Sequence, residues 1–228
     1  MRIVTPTQVE QVAWQGTLVQ PGGVVRSAVK PPNASIGEPV MWKMDALQAQ
    51  VGKNWTPPAD GRLYALVRID FTLHPLDDAN AHYEEAQLQL FLRPRAASGN
   101  AIALDLYPMQ VTADRSGKIN VTLKPDLKFT PAIEFNPGEA GVEIEHHDVF
   151  PVIQAFGVGQ SNPYWMFKND AGRKLIGSQS VYFVIAVSPE AQGARMSVEL
   201  TAQARGRLGI FKGGVPEDAR ANLSKTIV

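Results

Sequence analysis

Apolar and polar residues alternate with a period of two along most of this chain. Between the apolar positions the side chains are mainly polar or charged. The apolar sets are Leu63, Ala65, Val67, Ile69, Phe71 and Leu73; Ala86, Leu88, Leu90 and Leu92; Ile102, Leu104 and Leu106; Ile119, Val121 and Leu123; Val142 and Ile144; and Val198, Leu200, Ala202 and Ala204. Because successive side chains of a strand point to opposite faces, each set predicts a β-strand with one buried and one wet face.

One stretch breaks the alternation, because residues 181–187 are apolar on both faces. This pattern predicts a central strand that is covered on both sides. With a further strand within residues 9–19, about eight or nine strands are expected, separated by turn-forming Gly, Pro, Asn and Asp. The chain is therefore predicted to be all-β: an antiparallel two-sheet β-sandwich of jelly-roll type, with little helix.

The chain is predicted to be a single domain, residues 1–228, because no linker or repeat divides it. Residues 30–60 contain two Pro-Pro pairs and predict a long proline-rich loop, a kind of segment that often carries function or an interface. Residues 206–228 are rich in Gly and basic side chains and predict a C-terminal arm. Short helices are expected within residues 41–51 and 216–223.

The charges of the chain cancel, since 22 basic and 22 acidic side chains give a formal net charge of zero. Proteins that bind nucleic acid usually carry a basic excess, so we expect a nucleic acid partner only through the C-terminal arm. Zero net charge also removes the long-range repulsion between copies and favours self-association.

The chain has no cysteine, which excludes disulfides, thiolate zinc sites and cysteine nucleophiles. Residues 1–6 lack the apolar core of a signal peptide. No stretch approaches the roughly 20 apolar residues of a membrane span. We therefore expect synthesis in the cytoplasm, no membrane span, and a virion as one destination.

An acidic and histidine-rich stretch is the sharpest candidate for metal chemistry. Glu143, Glu145 and His147 project to one face if residues 143–147 form a strand, and His74 or His82 supplies a fourth ligand. The alternative is an exposed polar strand face that binds no metal. We favour this alternative, because the spacing matches no established metal motif.

Aromatic side chains concentrate at Tyr164, Trp165 and Phe167, beside a stretch rich in Gly, Asn and Pro. Exposed aromatic rings bind sugar rings or bases by stacking, so these residues predict a ligand-binding site. The alternative is that they pack into the sandwich, which is the commoner use of large aromatics.

Four residues are candidates for an interface with another protein chain. Trp42 and Trp55 lie in the proline-rich segment, and buried tryptophans are frequent anchors of interfaces. Arg207 and Lys212 lie in the basic C-terminal arm, which contacts an acidic neighbour or is simply solvated.

No catalytic constellation is visible in the sequence. Gly157 and Gly159 lack the lysine and the helix of a phosphate-binding loop, and Ser178 lacks a nucleophile elbow. We expect a non-enzymatic structural protein without a cofactor, which assembles with copies of itself or with other structural subunits, for example as a virion or shell subunit. Two alternatives stay open: a carbohydrate-type ligand-binding β-sandwich module, and a metal-dependent enzyme.

Overall fold

The computed structural model describes residues 11–20, 30–43, 58–113, 119–122, 150–170, 174–207 and 209–227. Within these ranges the chain forms strands β1 Val12–Thr17, β2 Asn33–Gly37, β3 Val40–Lys43, β4 Leu63–Leu73, β5 His82–Pro94, β6 Ala101–Tyr107, β7 Gln110–Ala113, β8 Ile119–Thr122, β9 Phe150–Phe156, β10 Tyr164–Lys168, β11 Gly177–Val187, β12 Ala194–Gly206, β13 Gly209–Gly214 and β14 Ser224–Thr226. The one α-helix in these ranges, α1, is Glu217–Arg220, and short 3-10 turns occupy Pro189–Ala191 and Ala221–Leu223.

The strands form two antiparallel sheets. Sheet A has the order β1-β2-β4-β11-β6, with β3 also paired to β4. Sheet B has the order β13-β12-β5-β10-β9-β7-β8, with β14 also paired to β12. The predicted all-β two-sheet sandwich is confirmed. The jelly-roll wiring is not confirmed. Three pairs of consecutive strands lie side by side in sheet B: β7 with β8, β9 with β10, and β12 with β13.

The core lies between the two sheets and is built from the predicted alternating residues. The buried sets include Val67, Ile69, Phe71 and Leu73 of β4; Ala86, Leu88, Leu90 and Leu92 of β5; and Val198, Leu200, Ala202 and Ala204 of β12. Phe71 of sheet A meets Phe167 of sheet B edge to face, with ring centroids 4.9 Å apart. Edge-to-face packing of this kind adds to the hydrophobic gain from burial.

Strand β11 is the doubly covered central strand that its sequence predicts. It pairs with β4 on one side and with β6 on the other. Phe183 and Ile185 lie in the core, and Val184 and Ala186 on the opposite face are also fully buried.

Strand β6 shows where the alternation misleads. The pairing of β11 with β6 shifts register between Val184 and Ile185, which leaves Leu104 as an extra residue opposite β11. Ala101 and Ala103 therefore face the core, whereas Ile102 and Leu104 are only partly buried. The predicted buried face of this strand is correct only for Leu106, because a bulge reverses which face later residues occupy.

The segments predicted as a proline-rich loop and a C-terminal arm both contain strands among their described residues. Within residues 30–60 lie β2 and β3; residues 41–43 belong to β3, and the rest of the stretch predicted to hold a short helix, residues 44–51, lies outside the described residues. Within residues 206–228 lie β13, α1 and β14, and both strands pair with β12. The buried side chains of this segment are Phe211, Val215, Leu223 and Ile227. The predicted C-terminal arm thus pairs with sheet B, and the apolar residues spaced between its glycines and basic residues lie in the core.

Phe167→Ala tests the packing of the core. Removing this fully buried ring leaves a cavity between the sheets, so we expect the free energy of unfolding to fall by about 3–5 kcal/mol. Urea unfolding followed by tryptophan fluorescence measures the change. Lys168→Ala, at the next and exposed position of β10, is the control and should change the free energy by less than about 0.5 kcal/mol. Equal losses in both variants would contradict the assigned core.

Candidate assembly edge

Strand β1 lies at an edge of sheet A. Among the described strands it pairs with β2 alone. Its sequence, VAWQGT, contains neither a charged residue nor proline. Natural edge strands usually carry such residues, because an uncharged edge offers its free backbone groups to a strand of another chain. The composition of β1 therefore makes it a candidate for pairing between chains, and at six residues it is longer than β8 of sheet B, an outer strand of four residues (INVT) that likewise lacks charge and proline.

Two side chains of β1 pack against the core, and exposed apolar side chains lie at the two ends of the strand. Ala13 and Trp14 pack against the core. The indole of Trp14 folds over Gly16, where an added Cβ would lie only 3.0 Å from the ring. Val12 is 59% exposed and Val19, just beyond the strand, is 45% exposed. The edge is thus anchored through Trp14, and exposed apolar side chains lie at its two ends.

Tyr83 links sheet B to the end of β4 and, by a longer contact, to the first residue of β2 in sheet A. Its hydroxyl, on sheet B, donates a hydrogen bond to the carbonyl of His74 at 2.8 Å, at the end of β4 in sheet A. The same hydroxyl lies 3.4 Å from the carbonyl of Asn33. Asn33 pairs with Thr17 of β1, and the hydroxyl of Thr17 donates to the Asn33 side chain at 2.8 Å. Burial raises the pKa of Tyr83 to about 12, so the phenol stays protonated and able to donate at neutral pH.

The chain after β1 joins the two sheets. Val19 and Gly214 exchange backbone hydrogen bonds of 2.8 and 2.9 Å, which connects the end of β1 to β13 of sheet B. An added Cβ at Gly213 would lie 2.5 Å from the Val19 carbonyl oxygen, so only glycine allows this approach. An ion pair of 3.0 Å between Lys225 and Glu38 ties the C-terminal strand β14 to sheet A.

The opposite edge of sheet A is covered at Ala103. Ala103 of β6 donates its N–H to the carbonyl of Gln160 at 2.9 Å and accepts from the N–H of Gly159 at 2.7 Å. The loop between β9 and β10 therefore occupies backbone groups of β6 that face away from β11. Among the described residues β1 has no such cover, and β3, the other strand of sheet A that pairs on one side only, carries the charged Lys43.

The predicted aromatic ligand site is largely a core feature. Trp165 is fully buried, and its indole N–H donates to the carbonyl of Pro108 at 3.1 Å. Phe167 is also buried. Trp165 and Phe167 pack into the sandwich, as the alternative interpretation of these aromatics predicted, because alternation along β10 turns both side chains inwards. Tyr164 lies on the outer face, where it stacks on Phe156 with ring centroids 4.8 Å apart.

The predicted metal residues Glu143, Glu145 and His147 lie outside the described residues. Within the described ranges, no three His, Cys, Asp or Glu side chains come together as a metal site would require. His74 lies 3.2 Å from the hydroxyl of Ser35, and His82 is exposed at the start of β5.

The predicted interface residues are dispersed. Trp42 lies half-buried on β3 opposite Leu66. Arg207 is exposed between β12 and β13, and Lys212 is exposed on β13. Trp55 lies outside the described residues. None of these four residues lies on β1. The position of a strand at the edge of a sheet depends on the order of the strands, which the sequence does not show. The lack of charged residues in β1 was the one feature of the sequence that pointed to it.

Comparison with known proteins assigns this chain to no family. No family model and no curated protein matches the chain. Among solved structures, a pore-forming protein covers 90% of both chains at 7% identity and a TM-score of 0.36. Clostridium perfringens delta-toxin covers 96% of this chain and 93% of its own at 8% identity and a TM-score of 0.35. The membrane-inserted form of the Clostridium perfringens NetB toxin covers 90% of both chains at 8% identity and a TM-score of 0.32. Likeness at this level carries no argument about this protein.

Membrane-spanning helices are likewise absent from the described part of the chain: no helix there has the length and apolar character to cross a bilayer.

Tyr83→Phe tests the hydrogen bond from sheet B to the carbonyl of His74 at the end of β4. We expect the free energy of unfolding to fall by about 1 kcal/mol near neutral pH, because the partly buried carbonyl of His74 loses its donor. The pKa of Tyr83 is about 12 in the folded protein and about 10 when unfolded, so the stabilisation linked to the protonated phenol is complete below pH 10 and is lost as the pH rises towards 12. The variant should lack this part of the alkaline loss.

Urea unfolding across this pH range measures both effects. Tyr164→Phe, which changes a tyrosine on the outer face of sheet B, is the control and should retain the alkaline loss of the unaltered protein. An unchanged alkaline slope in Tyr83→Phe would contradict the assignment.

Proposed function

We propose that this protein is a non-enzymatic structural protein that assembles with copies of itself by pairing at the β1 edge. The observation that carries the proposal is the edge strand Val12–Thr17, which is uncharged, free of proline and paired on one side only among the described strands. Such an edge is a template for strand addition, in which backbone hydrogen bonds supply much of the affinity.

The geometry of the edge favours a symmetric contact. Antiparallel pairing of β1 with β1 of a second copy places the same surface on both sides of a two-fold axis. The two A sheets then continue through both copies, and the exposed side chain of Val12 becomes covered at the contact. Because the chain has zero formal net charge, no long-range repulsion opposes the approach.

A shell or virion subunit needs more than this contact, since a two-fold interface closes at the dimer. The exposed Arg207 and Lys212 and the half-buried Trp42 are our candidates for a second contact, to a further copy or another structural subunit. In this proposal the chain is made in the cytoplasm and acts in the assembled particle without a cofactor. The carbohydrate-binding alternative has less support, because Trp165 and Phe167 are buried and one face of Tyr164 is taken by Phe156.

Val12→Lys and Gln15→Lys test the β1 contact. Each places a charge on the edge twice per symmetric contact, where repulsion and desolvation oppose pairing. We expect the unaltered protein to increase in mass with concentration, and both variants to associate at least about tenfold more weakly. Light scattering across a concentration series measures the mass.

Ile176→Lys is the matched control, because Ile176 is 42% exposed but lies outside β1. This variant should assemble like the unaltered protein. A monomer at every concentration in the unaltered protein would refute self-assembly. Assembly that survives both β1 variants would refute the β1 contact while leaving self-assembly intact.

A further inference from the structure

Two arginines lie directly opposite each other on the outer face of sheet B. Arg93 of β5 and Arg195 of β12 are register partners in the antiparallel ladder. Both side chains are exposed, and they alternate with the buried Leu92 and Met196. Directly opposite residues on one face have Cβ atoms about 5 Å apart, so both guanidinium groups can reach one small ligand.

Neither arginine has an ionic or hydrogen-bonded partner for its side chain in the described structure. Other arginines do: Arg62 pairs with Asp60, Arg68 with Asp70, Arg205 with Glu84, and Arg220 with Glu199. Like charges placed directly opposite each other in a sheet destabilise it. Although the total charge of the chain is zero, these two arginines form a local excess of positive charge, and a bound anion would neutralise it.

The surroundings of the pair offer further donors. Thr226 of β14 lies opposite Arg195 on its other side, and Ser224 lies opposite Ser197 in the next row. Arg95, which is exposed just beyond β5, adds a third positive charge at this end of the sheet. The nearest carboxylate along β12 is Glu199, and Arg220 neutralises it at 3.0 Å.

We propose that Arg93 and Arg195 bind a phosphate-like oxyanion. The planar guanidinium presents paired N–H donors that match the oxygens of a phosphate or sulfate, and the hydroxyls of Ser197 and Thr226 can donate to the remaining oxygens. The anion replaces the repulsion between the arginines by two attractive contacts. This site lies on the face of sheet B, apart from β1, so it stands or falls independently of the assembly contact.

The test uses the full chain, with inorganic phosphate as the probe against chloride at matched ionic strength. At a phosphate concentration about tenfold above Kd, we expect the melting temperature to rise by about 3 °C. Calorimetric titration should give binding that Arg93→Gln or Arg195→Gln weakens about tenfold or more. Lys168→Gln, which removes one positive charge elsewhere on sheet B, is the control and should bind phosphate like the unaltered protein.

A second readout shows whether the variants are folded and whether the repulsion exists. In low salt without phosphate, Arg93→Gln and Arg195→Gln should be at least as stable as the unaltered protein, because each removes one of two like charges. The proposal would be overturned if the unaltered protein does not bind phosphate. It would also be overturned if the arginine variants bind phosphate as tightly as the Lys168 control.

Vesicles distinguish a lipid headgroup from a soluble phosphate. The unaltered protein and Arg93→Gln are sedimented with phosphatidylcholine vesicles, with and without phosphatidic acid. Binding that requires both phosphatidic acid and Arg93 supports the site with a headgroup as the source of the oxyanion. Binding of inorganic phosphate without binding to vesicles supports the site with a soluble source. Arg93-independent binding in both assays overturns it.

Discussion

Backbone N–H and C=O groups at the edge of a sheet need partners, and this requirement governs the margins of the structure. At β6 the loop between β9 and β10 supplies partners to Ala103. At the end of β1 the chain crosses to sheet B, where Val19 and Gly214 exchange hydrogen bonds. Strand β1 itself is anchored by Trp14 and β2 but has no partner on its outer side among the described strands. The proposed assembly supplies that partner from a second copy.

Much of the sandwich can be predicted from the sequence, because alternation directly reports which face of a strand is buried. Strands β4, β5 and β12 show their core residues in this way. The prediction fails at β6, since the bulge at Leu104 arises from the register with β11 and cannot be recognised in the sequence of β6 itself. The sequence also placed Gly213 in a C-terminal arm, without showing what this glycine contacts. That glycine allows the close approach of Val19, a contact between distant parts of the chain.

Candidate sites are harder to predict than strands, because they depend on which strands become neighbours. Alternation along β10 was sufficient to separate Tyr164 from the buried Trp165, yet it could not show that Phe156 lies beside Tyr164. The positive pair Arg93 and Arg195 exists only through the register of β5 with β12. Likewise, an uncharged stretch such as β1 becomes informative only when the order of sheet A places it at an edge.

Hydrogen–deuterium exchange of β1 at low and high protein concentration tests the central claim most directly, because exchange reports whether backbone amides are hydrogen-bonded. The account predicts that amides in a peptide containing Val12–Thr17 exchange more slowly as concentration rises, whereas those of β6, already covered by its loop, do not change. Exchange in β1 that is independent of concentration, in a sample whose mass increases, would contradict the account and place the contact between copies elsewhere.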